Sequence, residues 1–311
     1  MSVGRSWKGF QGRNKFTSEE MTATDYDVMN KNIISYYNKF TLSHQMCSAG
    51  TNNIHYGYWE SGHGEEVQRK EHRDALERMN AVIAEIAGIT AEDTVLDAGC
   101  GIGGSAVWLA GTFDCRVTGV TLCEQHIPLA ERFARKNNVD HRCQFFCKDF
   151  SHTDLAPASF DVVWVLESSC YAVDKRKFIE EAARLLKPGG RLVVADVFLE
   201  KTELSEDEQE RMERSMRGWA IPNVLSGDQF GRYLHESGFE KISLVEKTEN
   251  ILPTSFRMHR IAKVVYPVAL WTHRLRVCTE QARNHWYSAL NQFHFFADGI
   301  ACYGIFSARK S

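Results

Sequence analysis

From residue 94 onward, short apolar runs alternate with segments whose apolar residues recur every third or fourth position. TVLDAG is an apolar run entering a Gly-rich turn, SAVWLAGTF is helix-periodic, and CRVTGVTL is β-branched and strand-like. The helix EQHIPLAERFARKNNV follows, then strands at CQFFCKDF and FDVVWVLES. The helix KRKFIEEAARLLK meets the stop formed by Pro188, Gly189 and Gly190, and RLVVADVF is a fifth strand. Strands alternating with helices at this spacing predict a parallel sheet with right-handed crossovers.

Two stretches break the alternation. Residues 1 to about 75 hold polar helix-like segments, including the charged EEVQRKEHRDALERMNAVIAEIA, and residues 200 to about 222 form an acidic helix. SGDQFGRYLHESGFEKISLVEKT then reads as helix, turn and sixth strand, with Ser226 as N-cap and Gly238 at the C-terminal stop. Residues 255–290 look helical again, and ACYGIFSARK is a terminal strand. The expected layout is an N-terminal helical extension (1–75), a core (76–200), a helical insertion (201–223), a core helix and strand (224–254), a basic helical lid (255–299) and the last strand (300–311). The insertions fall where they can cover the carboxyl ends of the strands, which is where open α/β sheets bind ligands.

Composition narrows the partners. With 43% hydrophobic and 25% charged residues the chain matches an average globular protein, which excludes disorder, collagen-like repeats and a disulfide scaffold. The 37 Lys and Arg against 40 Asp and Glu leave a net charge of −3, no reason for the whole chain to seek nucleic acid. No apolar run reaches the ~18 residues of a membrane span, so no transmembrane segment is expected. MSVGRSWKGFQGRNKF has cations but no apolar centre, unlike a signal peptide, so a cytoplasmic protein is expected. Nine cysteines without a CxxC pair predict reduced thiols. Cys143 and Cys147 lack further partners at zinc spacing, so no metal ligands are assigned.

Asp97-Ala98-Gly99-Cys100-Gly101-Ile102-Gly103-Gly104 directly follows a strand and opens a helix. A glycine loop there lets a ligand approach the backbone, and a nicotinamide or flavin would be the usual guest. Asp97, two positions before the first glycine, would repel pyrophosphate but favour an ammonium or sulfonium group. The string DAGCGIGG resembles the first motif of class I S-adenosylmethionine-dependent methyltransferases. That resemblance implies a Rossmann-like seven-stranded sheet and a cofactor held around Asp97, Gly99 and Gly101. It places Thr121 and Leu122 at the ribose, with the family's usual acid missing. Asp149 can accept from the adenine amine and Phe150 can lie against the base, ordinary core packing being the other reading of Phe150.

Glu167 ends an apolar strand, where a carboxylate is costly unless paired or raised in pKa. It reads either as a general base beside the cofactor or as an anchor for a lid. ESSCYAVDKRKFIEEAARLLKPGGRLVVAD, together with SYYNKF, NNIHYGYWE and GVTL, resembles the sterol C-24 and γ-tocopherol methyltransferase branch. Tyr56 stands where that branch often has a second His. The branch implies methylation of an electron-rich alkene or phenol-ring carbon and a cofactor contact at Tyr37. Tyr36, Tyr37, Tyr58, Trp59, Tyr171 and Trp219 are candidates for an aromatic wall that stabilises a carbocation, core packing being the other reading of each. Arg260 belongs to a basic stretch (255–285) holding Arg257, Lys263, Arg274, Arg276 and Arg283 against the single acid Glu280. That stretch reads as a diphosphate site with or without magnesium, a solvated face, a membrane-surface contact or an oligomer partner.

The expectation is an S-adenosylmethionine-dependent C-methyltransferase for an isoprenoid alkene: a prenyl diphosphate, a prenylated natural product or a sterol-like molecule. The alternatives are an aromatic-ring C-methyltransferase, a small-molecule N-methyltransferase and a non-catalytic cofactor-binding subunit. Its partner would be a small hydrophobic substrate, with a homo-oligomer left open.

Overall fold

The computed structural model describes residues 22–60, 69–201 and 203–311. Residues 1–21 of the N-terminal extension, and Glu65–Gln68 at the start of the charged helix, lie outside the described residues. The sheet comprises β1 (Thr94–Ala98), β2 (Arg116–Thr121), β3 (Cys143–Cys147), β4 (Phe160–Leu166), β5 (Leu186–Leu199), β6 (Phe239–Glu246) and β7 (Ala301–Lys310). Their order in space is β3-β2-β1-β4-β5-β7-β6. The helices are α1 (Ala23–Cys47), α2 (Arg69–Ala87), α3 (Gly104–Phe113), α4 (His126–Lys136), α5 (Lys175–Leu185), α6 (Glu206–Trp219), α7 (Gly227–Glu236), α8 (Thr248–Arg274) and α9 (Glu280–Ala297).

Strands β1 to β5 pair in parallel, as the alternation predicts. The last strand departs from a wholly parallel sheet, because β7 runs antiparallel to both β5 and β6. The cause is the α8–α9 hairpin: it returns the chain to the end of the sheet where β5 finishes, so Ala301 pairs with Leu199 and the strand must run back. The Pro188-Gly190 stop also works differently, since α5 ends at Leu185 and β5 starts at Leu186, pairing with Phe160 before a register shift. Ser226 caps α7 by accepting from Gln229 N, and Gly238 has φ +82°, both as expected.

Central strands buried on both faces need near-continuous apolar sequence, and β4 supplies it with Val162, Val163, Trp164 and Val165 at 0–1% exposure. Met79, Ile83, Leu109 and Trp164 belong to the core on one side of the sheet; Val165, Phe178, Leu234 and Phe306 belong to the other. Each such side chain contributes about 1.5–3 kcal/mol by leaving water.

Above the carboxyl ends, α6 packs on α9 and α9 on α8. Gly218 makes the first contact possible, since a Cβ there would lie 2.1 Å from Ser288 Oγ. The expected division between core and basic lid at 254/255 falls inside the single helix α8. Helix α1 is tied across the strand ends by hydrogen bonds from Tyr26 to the α5 N-cap Asp174 (2.9 Å) and from Asn30 to Asp149 (3.0 Å).

Candidate active site

The loop from β1 into α3 is held open by glycines in the left-handed region: Gly99 at φ +93°, Gly101 at +51° and Gly103 at +84°. A Cβ on Gly99 would sit 2.3 Å from Ser168 Cβ, and one on Gly104 2.6 Å from Asn52 O. Backbone is therefore bare on the ligand side while packed tightly against β4 and the α1–α2 connection behind. A pocket of about 740 Å³, counting its open mouth, lies over this loop. Asp97, Gly99, Gly101, Thr121, Leu122, Phe150, Glu167, Tyr37 and Tyr171 all line it.

Asp97 is 3% exposed and its Oδ2 has no hydrogen-bond partner. Burial pushes its carboxyl up to about 7, against a backbone hydrogen bond from Ala106. A buried acceptor without a donor beside bare glycine backbone is what an ammonium group would satisfy, so these residues fit S-adenosylmethionine. Thr121 accepts from Cys123 N at 3.3 Å at the end of β2, offering a hydroxyl where an acid is usual.

Glu167 leaves β4 with φ +51°, uncommon for a side chain and a mark of functional sites. Its Oε1 accepts from Tyr56 N at 2.8 Å and from the Tyr303 hydroxyl at 3.0 Å. Burial raises it to about 8, the nearby Asp196 charge adding to the rise while the two donors oppose it. The turn behind it is fixed from both sides. Asp196 accepts from Ser169 Oγ (2.6 Å) and Cys170 N (2.9 Å), and buried Lys175 donates to Ala172 O at 2.7 Å.

The aromatic candidates divide. Tyr37 and Tyr171 meet edge to face at 5.3 Å in the pocket wall. Tyr36, its neighbour on α1, turns to the other side and bonds His285 Nδ1 at 3.0 Å. Trp59 is 1% exposed, with Nε1 donating to Thr254 on α8, and half-buried Tyr58 lies beneath Lys247, so the structure does not bring these two to the pocket. Trp219 closes α6 away from the lining, and Arg260 is exposed on α8. Asp149 also stands outside the lining, its carboxylate taken by Asn30 and by Ser151 N.

Sequence reasoning missed Asn52, Asn53, Ile54 and His55, which form one wall, and His126 at the start of α4. His55 Nε2 is buried without a partner, and His126 faces Thr41 Oγ1 at 3.0 Å. It also missed Tyr303, which β7 delivers from 136 residues away.

Buried histidines dominate the acid side of stability. Burial lowers His44, His55, His72 and His126 to about 4, and His285 to about 3. The unfolded chain therefore binds more protons than the folded one between about 4 and 6.5, and stability rises with pH there. Asp97 and Glu167 act the other way, since their folded pKa values of about 7 and 8 exceed the unfolded ones and stability falls as pH rises toward 8. The melting temperature is expected to peak near neutrality and to drop steeply as pH falls from 6.5 to 4; differential scanning calorimetry across that range checks it, and a flat acid limb would contradict it.

A family model described as "Methyltransferase domain" matches residues 96–194, the stretch from β1 through β5 that carries this pocket. The 27-O-demethylrifamycin SV methyltransferase of Amycolatopsis mediterranei is 34% identical over 203 residues, covering 65% of this chain and 72% of that protein. The sterol 24-C-methyltransferase of Saccharomyces cerevisiae is 29% identical over 80% of this chain and 62% of its own length. Among solved structures, geranyl diphosphate C-methyltransferase from Streptomyces coelicolor, in complex with Mg2+, geranyl diphosphate and S-adenosyl-L-homocysteine, superposes with TM-score 0.67 at 20% identity, over 91% of this chain and 98% of that one. The chain belongs to the class I S-adenosylmethionine-dependent methyltransferases. Within them it stands in the branch that includes sterol 24-C- and tocopherol methyltransferases, and its cofactor is S-adenosylmethionine.

Proposed function

We propose that this methyltransferase alkylates carbon in an apolar isoprenoid alkene, with Glu167 as the base that completes the reaction. The observation that carries this reading is Glu167 itself, a carboxylate on the pocket wall raised to about 8 and fixed by two donors to one oxygen. Bound S-adenosylmethionine would supply an electrophilic methyl group, its sulfur keeping the electron pair of the S–CH3 bond that breaks. The chain's own residues do the rest. Asp97 receives the cofactor's cationic end, and the bare backbone at Gly99 and Gly101 admits its close approach. Tyr37 and Tyr171 make a wall that excludes water and offers π faces to a cation, each worth about 1–2 kcal/mol when dry, while Phe150 is left for the adenine base. When the alkene's π pair bonds to the methyl carbon, the neighbouring carbon becomes cationic. Oε2 of Glu167, the oxygen not engaged by Tyr56 and Tyr303, takes the adjacent proton, and that C–H pair restores the double bond.

Lysines and arginines are absent from the pocket lining among the described residues, and no three His, Cys, Asp or Glu gather there as a cation site. A neutral acceptor therefore fits this pocket better than a diphosphate carried with magnesium. A second reading is O-methylation, which the name of the 34% identical relative favours; Glu167 would then deprotonate a hydroxyl. Incubation with methyl-labelled S-adenosylmethionine and a panel of prenyl diphosphates, sterols, prenylated aromatics and phenols separates them. Label on carbon of a neutral alkene is the expected result. Label on oxygen alone overturns it in favour of the second reading, and label on nitrogen alone overturns both.

A further inference from the structure

We infer that the outer face of α8, with the α8–α9 turn, docks on an anionic lipid bilayer. Ile261, Val264, Val268, Trp271 and Leu275 recur every third or fourth residue and so form one stripe along α8. They are exposed at 39%, 73%, 58%, 62% and 54%, and Val277 in the turn at 77%. The stripe points away from the protein: on the opposite side of the same helix Ala262 and Ala269 are buried, His259 bonds Leu290 O on α9, and Tyr266 receives Arg214 from α6. The patch continues onto α1. Lys39 donates to Thr279 beside the turn, and Leu42 and Met46, three and seven residues further along the same face of α1, are 71% and 77% exposed.

Charge selects the occupant. Residues 250–279 contain no Asp or Glu, while Arg260, Lys263, Arg274 and Arg276 are exposed alongside the stripe. An apolar stripe carrying a tryptophan and flanked by cations is the pattern of a helix lying in the interface of an anionic membrane. A second copy offering its acidic α6 would answer the cations alone, since Glu206, Asp207 and Glu210 leave that helix charged on its exposed side. No helix among the described residues is long and apolar enough to cross a membrane, so the contact is peripheral. The inference does not depend on the methyl acceptor.

Flotation of the full chain with vesicles of phosphatidylcholine, with or without phosphatidylserine, tests it. Binding to the serine-containing vesicles should exceed binding to phosphatidylcholine alone by about tenfold or more and weaken with added salt. Val268→Glu with Trp271→Glu should abolish flotation, and Arg274→Glu with Arg276→Glu should weaken it by about tenfold, while S-adenosylmethionine affinity and melting temperature stay at wild-type values because all four side chains are exposed. Failure to float with either vesicle overturns the inference, as does unchanged flotation of both variants. So does a wild-type dimer in sedimentation that Trp271→Glu converts to monomer, which would make this face an interface between copies.

Discussion

Glu167→Gln is expected to lower kcat by about a hundredfold or more while leaving S-adenosylmethionine affinity within a few-fold. The substitution keeps shape and an oxygen that can still accept from Tyr56 N and the Tyr303 hydroxyl, so the turn should hold. What disappears is the capacity to take a proton. In the free enzyme the wild-type carboxyl titrates near 8, so kcat/KM should climb with pH up to about that value and then level off. The variant's residual activity should lack that climb. Unchanged turnover in the variant would reject Glu167 as base and leave it the role of anchoring the 56–60 segment.

Asp97→Asn should weaken S-adenosylmethionine binding by about thirtyfold or more, the loss of a hydrogen bond to a charged group in a buried site. Its pH signature is specific. Ionised Asp97 is the form that meets a cation, and burial holds the free carboxyl near 7, so wild-type affinity should rise as pH passes from 6 to 8. Calorimetric titration at these pH values in buffers of different ionisation enthalpy should also detect proton release on binding. The variant should show neither effect. Its unliganded form should melt above wild type at pH 8, because the variant no longer buries an unpaired charge. A wild-type affinity flat across this range would contradict the assignment.

The parts of the site that the sequence disclosed share one property: each lies where a strand runs directly into a turn. Asp97, Gly99, Thr121, Phe150 and Glu167 are all within a few residues of the carboxyl end of β1, β2, β3 or β4, and the alternation of elements aims such positions at one crevice. Tyr303 has no such signal, because it lies near the start of an apolar strand and meets Glu167 only through the antiparallel entry of β7. Asn52–His55 open the NNIHYGYWE segment that carries the branch resemblance, but their place in the pocket wall depends on how that loop packs over Gly104, which no local pattern discloses. Aromatic residues misled in both directions. Trp59 and Tyr37 are both large aromatics, yet one is buried against α8 and the other faces the pocket, a distinction set by partners far along the chain. The basic stretch was visible as composition, but only the packing of α8 shows that its cations flank an outward apolar stripe.

The reversed strand has a consequence in time. Among the described residues β6 pairs only with β7, and Glu167 takes its second donor from Tyr303 on that same strand, so both wait for residues 301–310 to emerge during synthesis. Until then β5 presents an open edge next to the future active site, and non-local pairing of this kind is slow to form. Assembly of the surroundings of Glu167 thus follows that of the glycine loop, and a nascent chain caught between the two would hold the cofactor loop with Glu167 bound by Tyr56 N alone.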